Sequence, residues 1–357
     1  MIEIKIIVRI IFNRLKSNGN RLPRDWRDVV DKDVERKTFA ILKILSEEKE
    51  YVGASIISRR LKDLGIDLTE RAVRYHLKIM DERGLTKVRG KQGRIITERG
   101  LEELRNALVC DKIGMVISKI DRLSYSTTLD LDKRIGKIVL NISLIHANRF
   151  DEALEVMHDV FQAKLCMSNL VVVAFEGEEI GKFEVPKDKI GFGTVCSVTL
   201  NGVLVKSGIP ARSRFGAILQ IENDKPLRFT ELINYEGSSL DPLEIFIKSK
   251  MTSVREAAIN GSGKILAGFR EVSAAASDSV DEIIKKLKSV GINGVVVVGR
   301  PGQPVLETPV TTDSIGIVVS GGLNPLAAVE EAGIDTESKA MSAMVDFKEL
   351  RNFWDLF

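Results

Sequence analysis

Cysteine is scarce: Cys110, Cys166 and Cys196 are odd in number, widely spaced and free of any C-x-x-C pattern. That excludes a disulfide framework and a zinc knuckle, and it leaves reduced thiols, as expected of a cytoplasmic protein. His76, His146 and His158 stand alone, with no H-E-x-x-H pair and no cysteine at metal-ligand spacing, so no metal site is expected. A long apolar run is missing as well. Ile4 to Phe12 is broken by Lys5 and Arg9, falls short of the ~20 residues a membrane-spanning helix needs, and is followed by no small-residue cleavage site.

Catalytic signatures are also wanting. "GSGKIL" at Gly261 puts Ala258 where a phosphate loop needs its first glycine and Ile265 where it needs Ser or Thr. "GFGT" at Gly191 lacks the third glycine of a dinucleotide fingerprint, and no G-x-S-x-G elbow occurs. An enzyme is therefore not the first reading, although a depressed pKa at Cys196, in "GFGTVCS", would revive it.

What the chain does have is unevenly placed charge. At 357 residues, 44% hydrophobic and 29% charged, it is long enough for two or three domains. Its net charge of +3 splits into about +8 before residue 108 and −5 from there on, a basic module on a mildly acidic body. From Arg71 to Arg99, nine Lys or Arg face three acids. Such a segment is built to meet anions.

Its pattern says how. Residues 34–48 place Ile41, Ile44 and Leu45 on one helical face, and residues 53–64 do the same with Ile57, Leu61 and Leu64. Thr69 caps a third helix whose stripe is Val73, Leu77 and Met80, ended by Gly84, with Arg71, Arg74, Tyr75 and Lys78 opposite. "LTKVRGKQGRIIT" then forms a hairpin, Leu85–Val88 and Arg94–Thr97, with Arg89, Lys91 and Arg94 at its tip. This order is a winged helix: Arg71, Arg74 and Tyr75 are expected nearest the bases, and Lys78 and the wing cations on phosphates. A protein-docking role is the structural alternative. Thr97 caps a connector helix carrying Leu101, Leu104 and Leu108.

The acidic body is written twice. "GKIVLNISLI" from Gly136 matches "GKILAGFREV" from Gly263, and "DEALEVMHDV" from Asp151 matches "DEIIKKLKSV" from Asp281. "VVVAFEGE" from Val171 and "DKIGFGTVCS" from Asp188 lie over Val295 and Asp313. "NGVLVKSGI" from Asn201 and "AILQI" from Ala217 lie over Asn324 and Ala343. Each copy reads as a β-α-β-β-α-β unit, so the chain is α+β: an N-terminal winged helix followed by an α/β domain with an internal duplication. The expected organisation has four parts. Residues 1–33 are an extension, loosely ordered or upstream of the true start; 34–96 are the winged helix; 97–110 are the connector. A duplicated effector-binding and dimerisation domain fills 111–357, with copies at about 112–227 and 255–350 and a bridge over 228–263.

A crevice between related lobes is a natural ligand site. In "SGIPARSRFG", Ser207, Arg212, Ser213 and Arg214 share one loop bounded by glycine and proline, and "GRPGQP" adds Arg300; guanidinium forks there would grip carboxylates, unless they merely form surface ion pairs.

Several stretches are similar to the NrpR repressors of archaeal nitrogen regulation: "TERAVRYHLKIMDERGLT" and "GRIITERGLEEL" in the module, "GIPARSRFGAILQIE" and "SLDPLEIF" in the body, and "IGIVVSGGLNPLAAVEEAGI" near the end. The resemblance covers roughly residues 34–350. It implies a repressor of nitrogen-fixation and ammonia-assimilation genes that binds palindromic operator DNA as a homodimer and releases it when 2-oxoglutarate binds the body. Only one effector domain follows the winged helix here, whereas some relatives carry two, so a second NrpR-type polypeptide is an expected partner. The alternatives are a winged-helix regulator sensing another anionic metabolite, or an enzyme fused to a DNA-targeting domain.

Overall fold

The computed structural model describes residues 25–48, 50–106 and 114–357, and the chain divides into two units, Met1–Lys112 and Ile113–Phe357. In the first unit, α1 (Asp25–Ser46) begins nine residues before the expected start at 34, because no glycine or proline interrupts that stretch. Helix α2 (Ala54–Asp63) buries Ile57 and Leu61. Helix α3 (Glu70–Glu82) starts where the Thr69 hydroxyl accepts the Ala72 N–H at 3.3 Å, and it buries Val73, Leu77 and Met80 completely.

Strands β1 (Thr86–Arg89) and β2 (Gly93–Ile96) follow, antiparallel, joined through the turn Gly90–Gln92. Val52 exchanges backbone hydrogen bonds with Arg94 at 2.8 and 3.0 Å, which binds the wing to the segment before α2. Gly93 makes this contact possible: its φ is +114°, and a Cβ there would sit 2.2 Å from the Val52 carbonyl oxygen. Helix α4 (Glu98–Asn106) returns to the core, its first turn capped by Thr97. Leu108 and Cys110 lie outside the described residues.

The second unit opens with α5 (Met115–Ser126). Its first copy runs β3 (Lys137–His146), α6 (Phe150–Gln162), β4 (Leu170–Ala174), the small hairpin β5 (Glu179–Ile180) and β6 (Phe183–Glu184), β7 (Lys189–Val195), α7 (Val198–Lys206) and β8 (Arg212–Glu222). Between the copies lie β9 (Lys225–Asn234), α8 (Pro242–Lys248) and α9 (Val254–Asn260). The second copy runs β10 (Gly263–Ser273), α10 (Ser277–Ser289), β11 (Val295–Val298), β12 (Ser314–Ser320), α11 (Asn324–Glu331) and β13 (Thr336–Asp346), with β14 (Arg351–Asn352) last.

Two five-stranded antiparallel sheets result, ordered β13-β3-β7-β4-β14 and β11-β12-β10-β8-β9. The copies have traded their final strands. β8 of the first copy pairs with β10, and β13 of the second pairs with β3. Neither copy is therefore a lobe by itself, and the supposed bridge contributes β9 as the edge of the second sheet.

Matching local geometry marks the two copies as one pattern. Asp188 and Asp313 take φ of +60° and +59°, and their carbonyls accept the N–H groups of Ala147 and Ala274 at 3.1 and 2.8 Å. Ala343 stands opposite Leu140 as Ala217 stands opposite Ala267. The helix pairing was out of step: α6 and α10 begin at Phe150 and Ser277, so Asp151 answers to Asp278 and not to Asp281. An amphipathic helix repeats its pattern every three or four residues, so such a slip leaves little trace in sequence.

Ile138, Leu140 and Ile142 from one sheet and Ile315, Ile317 and Val319 from the other are buried in a single apolar cluster. Ile142→Ala and Ile317→Ala should each remove about 2–5 kcal/mol and lower the midpoint of the same unfolding transition. Calorimetry that resolved one transition for each sheet would contradict the shared core.

Candidate nucleic-acid interface and candidate effector cavity

Arg71, Arg74, Tyr75 and Lys78 share the exposed face of α3, opposite its buried stripe. Arg74 pairs with Glu70, and Lys78 lies 4.0 Å from Glu82; both are exposed pairs one helical turn apart. Such pairs contribute only ~0.3–0.5 kcal/mol, so phosphates or base edges can replace the acids at small cost. Tyr75 is 59% exposed, and Arg89, at the end of β1, sets its guanidinium 5.7 Å from the centre of the Tyr51 ring. Lys91 lies in the turn between the strands.

Arg94 is placed differently from expectation. It stands within β2 opposite Val88, and its Nε donates to Asp81 at 2.9 Å. Asp81 also accepts the Thr86 hydroxyl at 2.6 Å. The turn closes one residue earlier than the sequence suggested, so this cation braces the wing against the end of α3 instead of standing at the tip.

The expected anion loop ends at Ala211. Arg212 begins strand β8, where alternate side chains point to opposite faces, and the candidate residues are dispersed. Ser207 donates to the Val203 carbonyl at 3.1 Å, Arg212 pairs with exposed Glu236 at 3.0 Å, and Arg300 is exposed beyond β11. Arg214 pairs with buried Glu271 at 2.7 Å. Burial opposes that charge, yet hydrogen bonds from Thr311 and Arg214 hold the Glu271 carboxyl below its ordinary value. An open groove of about 250 Å³ runs past Arg212, but Glu271 and Asp313 line it too. Its carboxylates disfavour an anion.

Ser213 alone among the five reaches a more telling place, a small cavity lined from both sheets by Asn141, Ser197, Ser213, Tyr235, Arg270 and Gly322, among others. A β-bulge brings Ser213 there: Phe215 pairs with Phe269 but Ser213 pairs with Arg270, leaving Arg214 as the extra residue. Arg270 is 1% exposed. Its two terminal nitrogens donate to the Ser197 carbonyl and hydroxyl at 3.1 and 3.2 Å, while its Nε has no partner. Burial pushes its guanidinium down to about 10. Asn201 donates to Ser213 at 2.8 Å, and its own carbonyl oxygen is unpartnered. Burial likewise pushes the Cys196 thiol up to about 11, the opposite of what a nucleophile needs.

Sequence reasoning passed over Arg270 although a signal was present. Matching "GKIVLNISLI" to "GKILAGFREV" sets Arg270 on Ser143, so that with Glu271 it interrupts a run that is apolar in the first copy.

A winged helix with a cationic outer face, followed by a duplicated α+β domain, defines a winged-helix transcription regulator. Residues 113–352 match the family model of NrpR regulatory domains NRD1 and 2, and residues 39–104 match the Ribonuclease R winged-helix domain. The chain belongs to the NrpR family of archaeal nitrogen regulators. It is 39% identical over 323 residues to the global nitrogen regulator NrpRI of Methanosarcina mazei, covering 90% of this chain and 99% of that protein. To the NrpR of Methanocaldococcus jannaschii and that of Methanococcus maripaludis it is 33% and 34% identical over 90% and 87% of its own length, spanning 56% and 54% of theirs. A solved nitrogen repressor-like protein from Methanococcus jannaschii superposes with a TM-score of 0.57 at 32% identity, over 67% of this chain and 98% of that one. Among the described residues no helix is long and apolar enough to cross a membrane.

The same cavity carries a pH signature. Burial, and then Glu244, push Asp241 up to about 6, so the folded protein holds this proton more tightly than the unfolded chain does. Stability contributed here is present below about pH 4 and is lost as pH rises toward about 6. Asp241 also caps α8 by accepting the Leu243 N–H at 2.9 Å, a role asparagine can keep. In Asp241→Asn the melting temperature should fall less between those pH values than in the wild type; equal declines would contradict the assignment.

Proposed function

We propose that the protein is a cytoplasmic transcriptional repressor of nitrogen-assimilation and nitrogen-fixation genes, held on operator DNA by its winged helix and released when 2-oxoglutarate binds the second unit. The observation that carries the DNA half is the exposed cationic face of α3 with the wing beside it. In this reading Arg71, Arg74 and Tyr75 meet base edges in the major groove, while Lys78, Arg89 and Lys91 lie along phosphates. Arg94 acts indirectly by fixing the wing on Asp81. Family membership supports nitrogen control, and the sequence resemblance supports 2-oxoglutarate as effector.

A homodimer on a palindromic operator suits a winged helix that reads one half-site per protomer. A second NrpR-type polypeptide belongs to the same proposal, as the resemblance implies. Neither unit is assigned a reaction: the relatives are named as regulators, and the Cys196 thiol is pushed away from reactivity.

Quantitative DNA titrations separate the two classes of contact. Arg74→Ala should cost ~1–3 kcal/mol on the preferred site and relax preference at one base pair. Arg89→Ala should weaken all sequences alike and reduce the slope of log K against log salt by about one unit. Unchanged binding in both variants would make the first unit a protein-docking module instead.

A further inference from the structure

Several cations of the first unit are tied to acids: Arg74 to Glu70, Lys78 to Glu82, Arg83 to Glu103 and Arg94 to Asp81. Arg89 is held in another way. Its guanidinium lies over the Tyr51 ring, 5.7 Å from the ring centre, and among the described residues no carboxylate pairs with it. The electron-rich face of an aromatic ring attracts a cation without accepting its N–H groups, so the donors of Arg89 stay uncommitted. Phosphate oxygens can take them with no acid to displace.

The backbone explains why these two side chains meet. Strands β1 and β2 set Arg89 opposite Gly93 and Lys87 opposite Ile95. Val52 forms an antiparallel bridge with Arg94 from the other side of β2, which makes the segment around it a short third strand. Side chains alternate along such strands, so Tyr51 falls on the face of Gly93 and Arg89, and Val88 and Arg94 fall on the other. Gly93 stands between Arg89 and this segment, and it has no side chain to stop an arginine from lying across β2. Tyr51 itself is half-buried, and its neighbour Val52 exchanges both backbone hydrogen bonds with Arg94, so the ring stands on fixed backbone. The wing is thus held from both faces. Arg94 ties one to Asp81 at the end of α3, and on the other Tyr51 steadies Arg89.

We propose that Tyr51 is a positioning residue for DNA binding, whose ring holds the Arg89 guanidinium ready for a phosphate of the duplex. The inference rests on the reading of the first unit as the operator-binding unit, and it adds a residue that carries no charge of its own. An arginine at the end of an exposed strand samples many rotamers, and fixing it on a phosphate costs conformational entropy. Over the ring, part of that freedom is lost before DNA arrives, so the contact forms at a smaller entropic cost. The gain is blind to sequence, because the ring aims a cation at the backbone and reads no base.

Titration of the full chain with its selected palindromic duplex, and with an unrelated duplex of the same length, at one fixed salt concentration tests this. Tyr51→Leu should weaken binding to both duplexes alike, by about two- to fivefold. Tyr51→Phe, which keeps the ring, should bind as the wild type does. In the Arg89→Ala background, Tyr51→Leu should lose nothing further, since the ring then has no cation to hold. Equal losses from Tyr51→Leu with and without Arg89 would make Tyr51 a packing residue and overturn the inference, as would a loss in Tyr51→Phe matching that in Tyr51→Leu. Unchanged binding in Tyr51→Leu, with Arg74→Ala still weakened, would overturn it and leave the operator reading intact. Failure of the wild type to bind either duplex would overturn both.

Discussion

Strand β8 hydrogen-bonds to β10 and strand β13 to β3, so neither half of the regulatory domain can complete a sheet from its own copy. Ordinary duplication gives two beads on a string. Here the exchange gives two interdependent sheets whose inner faces share apolar side chains. The two irregularities in these pairings, at Arg214 and between Lys339 and Ala343, both flank the cavity, and the second contributes Ala340 and Met341 to its wall. Bulges of this sort re-aim side chains where a regular ladder would hide them. The cavity is thus a consequence of the exchange and is not an addition to a finished fold.

The DNA-facing unit works on a different balance. Its core is a single cluster from Ala40 to Leu85, and its outer face keeps cations in exposed, weak pairs with acids of the same helix. Weak pairing is an advantage on a surface that must exchange partners, because little is lost when phosphates take over. The wing needs the opposite. A half-buried ion pair, a hydroxyl contact and the close approach of Gly93 to Val52 fix its direction.

Much of this could be read from the sequence, because periodic patterns determine it. The stripe of Val73, Leu77 and Met80, the Thr69 cap and the Gly84 stop defined α3 before its partners were known, and the repeated strands revealed the duplication. What escaped depended on long-range pairing. Nothing local distinguishes a final strand that returns to its own sheet from one that crosses to the other. The same blindness hid the partners of Arg212 and Arg214, which look available in a glycine- and proline-bounded stretch, yet acids distant in sequence pair with them. Arg270 was visible as a charge in an apolar strand, but its burial depends on Ser197, 73 residues away.

The central claim is that a ligand in the second unit changes how the first holds DNA. Linkage makes the effect reciprocal, with a coupling typically of ~1–3 kcal/mol. The direct measurement is the affinity of the purified protein for its selected palindromic DNA, at one fixed salt concentration, with and without 2-oxoglutarate and with succinate as the control. The account predicts that 2-oxoglutarate weakens binding about fivefold or more while succinate does not. Equal affinity with and without 2-oxoglutarate would contradict it.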